Sequence, residues 1–444
     1  MSLSIAAPAP ITELLRRIFS LAAPTSLAVV AQLVATLAET WLAARQGTMA
    51  LSAWAVVMPF TQLMGQMSAG AMGGGVVSAV ARTLGAGKRD EAAALTLHAV
   101  LIALAAAALF ILGLAIFPRA VLGAIAGPEL ANLAAPYAIW LFGLGAVPFW
   151  LTNTLASVLR GGGRHGLAAR VLVTAWAFYP PLAWACMEPL GLGLAGAGIA
   201  FGAVWWVAMA VISVVVARGG AGFPPVLRIR PRWELFWRIL SVGLVACALA
   251  SIANLTIILV TAQLSGYGVA VVAAYGIAAR MEFLMIPLVF GLGSAMTTLV
   301  GRAAGEGDWM TARRIAWAGG LVAFALASSA GAIAALAPAM VANAFTGDPA
   351  VASIATRALA IMGPAFGGFG LGMALYFASL GAGRMRWPLA AGVARITLAA
   401  GGGWVLAHPL GLGIDGYFLG VAFGITAHGV LTAAAVRPGV WPGA

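Results

Sequence analysis

The stretch "LVATLAETWLAAR", residues 33–45, sets one carboxylate, Glu39, inside an apolar run that begins at Ile18. An ionised side chain at membrane depth costs about 2–3 kcal/mol on insertion scales, so an acid kept there needs a reason. Two readings compete. Counting about 1.5 Å per residue from Arg17 brings Glu39 close to the far end of a straight helix, where hydration alone would hold it. Arg45, however, lies six residues further on, about 9 Å beyond it, and that spacing sends the two side chains to different sides of the helix. Without a local partner the carboxylate is expected to face a lobe interior or a wet cavity. An ionisable group in such a place is a functional candidate.

A second pair, Arg280 and Glu282, sits in another apolar segment. Two residues apart, they point to nearly opposite faces, and each needs a partner on a different helix. Structural ion pairing is the plain reading of both. Gln32, Gln62, Asn153 and Asn254 complete the polar set at membrane depth, and Trp41, Tyr137, Tyr275 and Phe283 are aromatic candidates for a cavity that takes planar cations. Arg395 lies close enough to a helix end to snorkel, and no role is expected of it.

The elements that position these residues follow from composition. Of 444 residues, 63% are hydrophobic and 8% charged, against roughly a quarter charged in soluble domains. The expected fold class is therefore an all-α polytopic membrane protein. Stretches long enough to span lie near 18–44, 50–82, 94–117, 133–158, 167–187, 192–216, 237–263, 272–301, 315–337, 352–380, 388–407 and 414–435, which makes twelve transmembrane helices. The first run is too long for the core of a signal peptide and is read as a retained helix. Nineteen of the 24 basic residues fall on the even loops and the tails, against Arg45, Arg119 and Arg357 opposite. That bias predicts both termini in the cytoplasm of a cell inner membrane. It also accounts for the net charge of +12 without any nucleic acid.

The chain repeats itself at an offset of 220: Arg82 meets Arg302, Gly87 meets Gly307, Gly143 meets Gly363, Arg164 meets Arg384, and "PLGLGLAG" at 189 meets "PLGLGIDG" at 409. One constant offset through six loops marks a duplication. Two lobes are expected, 1–224 and 225–444, as parallel six-helix repeats around a central cleft, which suits alternating access. In that register Glu282 corresponds to Gln62, and Glu39 to Leu259. Gly416, Gly420 and Gly424, at four-residue spacing, are expected to allow tight helix packing within a lobe.

Enzyme chemistry finds little support. The four histidines are scattered without metal-ligand spacing, no nucleophile motif occurs, and the single lysine reads "GKRD" rather than a phosphate loop. No cofactor and no metal are expected. Cys186 and Cys247 are expected to stay unpaired.

The loops "SAVARTLGAGKRDEA" and "TTLVGRAAGEGDWMTARR" resemble the paired cytoplasmic loops of the multidrug and toxic compound extrusion family. The stretch "LAAPTSLAVVAQLVATLAETWLAARQGTMALSAWA" is similar to that family's first helix, with its early proline and late acid, and "AAYGIAARMEFLMIPLVFGLGSA" to its eighth. The resemblance implies an exporter of organic cations and other amphipathic compounds in exchange for protons or sodium ions, with Glu39 at the family's acidic position; a monomer is expected. Where many members hold acids in helix seven, this chain reads "ASIANLTIILVTAQL", which departs from sodium coordination of that type. The major facilitators are ranked below, because "LGAGKRDEA" lacks their loop signature. A flippase for a lipid-linked saccharide is the alternative transporter, with Arg280 as its one hint.

Overall fold

The computed structural model describes residues 10–226 and 228–441, the side chains at 283 and 288 excepted. The first half comprises α1 (Ile11–Arg45), α2 (Thr48–Gly65) running through a π-turn at Gln66–Ala71 into α3 (Met72–Gly85), α4 (Arg89–Ile111) with a π-turn at Leu112–Ile116, the short α5 (Pro118–Ala126), α6 (Pro128–Gly161), α7 (His165–Met187) and α8 (Gly193–Ala217). The second half comprises α9 (Trp233–Leu264), α10 (Val269–Glu306), α11 (Trp309–Leu336), the short α12 (Pro338–Phe345), α13 (Pro349–Met362) and α14 (Phe366–Ala382). It closes with α15 (Arg386–Ile396), a π-turn at Thr397–Gly402, α16 (Gly403–Ala407) and α17 (Ile414–Ala435).

Among the described residues ten helices are long and apolar enough to cross a membrane, against twelve expected. The two that fall short, 50–82 and 167–187, are helical all the same, as α2–α3 and α7. Their shortfall is one of composition: α2–α3 carries Gln62, Gln66 and three successive glycines from Gly73, and α7 opens on His165 with Arg170 one turn later.

Two compact units divide the chain, Leu21–Leu244 and Met1–Ser20 with Val245–Ala444, and both boundaries fall inside a helix, α1 and α9. Each unit has its own buried aromatic core. Tyr137, Phe142, Trp150, Tyr179, Phe201 and Trp205 fill the first, and Phe366, Phe369, Tyr417 and Phe418 the second. In a membrane these rings contribute by close packing of their faces and edges, since lipid is as apolar as the core they fill.

The offset that aligns the two halves in sequence also aligns their internal geometry. The Arg164 N–H donates to the Leu159 carbonyl at 2.8 Å, and the Arg384 N–H donates to the Ser379 carbonyl at 2.8 Å. Gly163 and Gly383, one residue earlier, take φ of 79° and 70°, a left-handed turn that a Cβ disfavours. Close packing repeats as well. A Cβ on Gly196 would stand 2.8 Å from the carbonyl carbon of Cys186, and one on Gly416 would stand 2.7 Å from that of Leu406. Gly416, Gly420 and Gly424 do seat α17 tightly, with hypothetical Cβ atoms within 2.7 Å of backbone at Ala407, Gly403 and Arg395.

The repeat is not a copy in every turn. Asp308, where the first half has Lys88, caps α11 by accepting the Thr311 N–H at 2.9 Å. Hydrogen bonding from Thr311, its side chain first and its N–H second, holds the Asp308 carboxyl below its usual range. Cys186 and Cys247 are both free thiols.

Candidate functional site

Glu39 lies on α1 with 8% of its surface exposed, within the unit Leu21–Leu244. The Tyr137 hydroxyl, on α6, donates to its Oε1 at 2.5 Å, the length of an O–H···O⁻ bond. The Tyr179 hydroxyl on α7 and the Trp54 indole on α2 also stand beside the carboxylate. Neither of those two groups makes a hydrogen bond to Glu39 or to any other residue, and both are buried. Three helices, α2, α6 and α7, therefore bring polar groups to one carboxyl on α1, and each of these groups is neutral. Among the described residues no basic side chain lies within ion-pair distance of Glu39.

Behind Tyr179 stands a wall of rings. Tyr179 meets Phe201 edge-on at 5.6 Å, Trp176 meets Trp205 at 5.1 Å, and Phe149 meets Trp205 at 4.6 Å, all near perpendicular. Edge-to-face contacts of this kind add to area burial and fix ring orientation. Pro180 and Pro181 follow Tyr179 directly and leave carbonyls of the preceding turn without N–H partners, which loosens α7 where it passes the site.

The other sequence candidates distribute as follows. Gln32 is seven residues before Glu39, so it shares that face of α1 two turns away, and its Nε2 lies 3.8 Å from where a Cβ on Gly65 would be. Gln62 is half-buried on α2. Asn153 sits sixteen residues beyond Tyr137, about 24 Å along α6, and its amide donates to Ser68 Oγ at 3.1 Å. That bond ties α6 to the π-turn of α2–α3, away from Glu39. Asn254 donates to the Ala250 carbonyl of its own helix. Trp41 is 57% exposed beneath the Arg45 guanidinium, 4.8 Å from the ring centre, so it lines no cavity with Glu39. The Phe283 side chain lies outside the described residues.

Glu282 and Arg280 separate cleanly. Glu282 is buried and paired with Arg395 on α15, whose guanidinium lies 5.6 Å over the Phe369 ring. The expectation that Arg395 snorkels to a surface is therefore corrected: it is 6% exposed, because its position on the helix turns it toward α10 and not outward. Tyr275 and His428 are buried near this pair. Arg280 is exposed and makes no ion pair among the described residues.

Sequence reasoning did not single out Tyr179 or Trp54 for Glu39. One signal was present: the chain has only six tyrosines, and a tyrosine inside an apolar helix is a buried donor that needs an acceptor.

A family model, MatE, matches residues 24–185 and again 244–405, the second range beginning 220 residues after the first. The probable multidrug resistance protein NorM of Deinococcus radiodurans is 31% identical over 95% of this chain and 96% of its own. The multidrug resistance protein MdtK of Pectobacterium atrosepticum is 28% identical over about half of each chain, 55% and 56%. Among solved structures, the Vibrio cholerae MATE transporter VcmN in its bent form superposes with a TM-score of 0.88 at 20% identity, covering 96% of this chain and 97% of that one. A MOP superfamily transporter from Pyrococcus furiosus superposes at 0.86 and 22% identity, over 97% and 98%. With a doubled family match over most of its length, the chain belongs to the MatE family, the multidrug and toxic compound extrusion transporters.

Proposed function

We propose that this protein is a secondary active antiporter that exports amphipathic, cationic organic compounds in exchange for protons by alternating access, as a monomer in a cell inner membrane with both termini in the cytoplasm. The observation that carries the reading is the setting of Glu39. Its carboxyl is buried and faces the Tyr137 hydroxyl, the Tyr179 hydroxyl and the Trp54 N–H, with no cation beside it. An indole N–H is a donor only, and the Tyr137 hydroxyl spends its proton on Glu39. Such a shell suits a carboxyl that alternates between protonated and ionised forms. It offers a bare metal ion few oxygen ligands, which favours protons over sodium.

Coupling follows from competition. An organic cation and a proton both neutralise the same carboxylate, so each favours the state in which the other is absent. The ring wall of Trp176, Tyr179 and Phe201 offers flat apolar faces near that charge. Glu282 differs, because Arg395 already balances its charge. The deciding experiment is efflux of a cationic dye from proteoliposomes under an imposed proton gradient and, separately, a sodium gradient. Proton-driven efflux is expected; efflux driven by sodium alone would overturn the proton reading, and movement with neither gradient would overturn antiport.

A further inference from the structure

The connection after α8 runs "RGGAGFPPVLRIRPRWELFWR" from Arg218 to Arg238, and its second half is both pinned and exposed. Two bonds pin it to α4: the Val226 N–H donates to the Ala93 carbonyl at 3.3 Å, and the Arg232 N–H donates to His98 Nε2 at 2.9 Å. His98 is fully buried, its Nδ1 lies 2.9 Å from the Ala94 carbonyl, and its ring meets Phe236 edge-on at 4.6 Å. Both ring nitrogens are thus occupied, one donating and one accepting, in the neutral imidazole.

What this pinning presents outward is one-sided in charge. Arg228, Arg230 and Arg232 are exposed, and none of their side chains makes an ion pair among the described residues. Glu234 is the only acid between Arg218 and Arg238, and it is taken up by Arg238, which also binds Glu91, each at 2.6 Å. Directly beside the arginines, Trp233 and Trp237 are 69% and 55% exposed and stack one turn apart with ring centres 6.3 Å apart. Exposed tryptophans with arginines define the boundary zone of a bilayer, where indole sits at headgroup depth and guanidinium meets phosphate.

We infer that residues 226 and 228–238 form a pre-ordered binding strip for anionic phospholipid headgroups, with Arg228, Arg230 and Arg232 taking the phosphodiesters and the Trp233–Trp237 stack seated at the boundary between headgroups and acyl chains. Pinning by Ala93 and His98 keeps the three arginines together before any lipid arrives, so little ordering is lost on binding.

The test uses the full chain in nanodiscs, with tryptophan quenching by brominated phosphatidylglycerol compared with brominated phosphatidylcholine. A preference for the anionic lipid is expected in the wild type, falling about fivefold per arginine removed and gone in Arg228→Gln/Arg230→Gln/Arg232→Gln. Trp233→Phe/Trp237→Phe should remove the difference in quenching between the two lipids, while the other exposed tryptophans, such as Trp41 and Trp404, stay quenched by both alike. His98→Phe, which changes no surface charge, should weaken the preference by loosening the strip. An unchanged preference in the triple arginine variant, or no preference in the wild type, would overturn the inference. So would loss of the preference in inorganic phosphate at matched ionic strength, since a soluble anion would then be the ligand. Should His98→Phe fail to fold, the arginine variant, altered only at exposed side chains, decides alone.

Discussion

The two buried glutamates illustrate how neighbours decide what an ionisable group can do. Glu39 faces neutral donors only, whereas Glu282 faces a guanidinium, and each setting makes its own prediction. Glu39→Gln keeps the shape and most of the hydrogen bonding of the protonated form but has no proton to release, so proton-driven efflux should fall to background at wild-type expression. Glu39→Asp should retain part of it, and wild-type efflux in Glu39→Gln would end the proton-carrier role. Tyr137→Phe removes one bond to a charged acceptor, worth about 1.5–3 kcal/mol, so the pH profile of efflux should be displaced by roughly one to two units with the maximal rate largely kept. For the second glutamate the readout is stability. Arg395→Met strands a buried charge and should cost about 3–5 kcal/mol, seen as a lowered melting temperature in detergent. Adding Glu282→Gln to Arg395→Met should restore most of the loss. If Glu282→Gln alone abolished efflux at unchanged melting temperature, the pair would be functional and not structural. The sequence disclosed Glu39 because a charge in an apolar run stands out. It concealed Tyr179, Trp54 and the true place of Arg395, because those contacts depend on how separate helices are rotated against one another, and no single-helix count supplies that.

The helices of the two halves are interrupted at matching heights by different means. In the first half α2 passes into α3 through a π-turn at Gln66–Ala71, and the corresponding residues of the second half, 286–291, include Pro287 inside α10. The reverse holds further on: the π-turn at Thr397–Gly402 corresponds to residues 177–182, which include Pro180 and Pro181 of α7. A proline and a π-turn both leave backbone carbonyls unpaired and weaken a helix at one point, so each is a recognised origin of bends. The proline positions were legible in the sequence. The π-turns were not, since nothing in "QMSAGA" or "TLAAGG" differs in composition from neighbouring helix. That two unlike devices fall at one height in both halves argues for retained flexibility there. Pro287→Ala should therefore stabilise α10, by up to about 3 kcal/mol on helix propensity, while slowing gradient-driven efflux. Measuring unfolding and efflux on the same preparation checks it. Efflux at the wild-type rate in a more stable Pro287→Ala protein would remove flexibility as the explanation.

For the molecule as a whole, the 220-residue period was the most informative feature of the sequence, because duplication constrains every loop at once. It anticipated the doubled family match and the recurring glycine contacts, from Gly163 and Gly383 to Gly196 and Gly416. The count of spanning helices was less secure, since α2–α3 and α7 carry glutamines, glycines and a histidine where a purely apolar helix would carry none. Glycines and amides at those places let helices approach one another closely and satisfy polar groups inside a unit, and they also lower the mean hydropathy by which a span is counted. Orientation rests on the arginine bias, and side-specific labelling tests it. Gly127 and Gly219 mark loops expected on opposite sides, but both hold φ near 80°, where a cysteine would strain the turn. The adjacent exposed helical alanines Ala124 on α5 and Ala217 at the end of α8 are better positions. In a background with Cys186 and Cys247 replaced by serine, a membrane-impermeant maleimide added to intact cells should label Ala124→Cys. Ala217→Cys should react only after permeabilisation. Because an odd number of crossings between positions 124 and 217 separates the two sides, labelling of both from outside would show that α6, α7 and α8 do not all span, and the reversed pattern would place the arginine-rich loops outside.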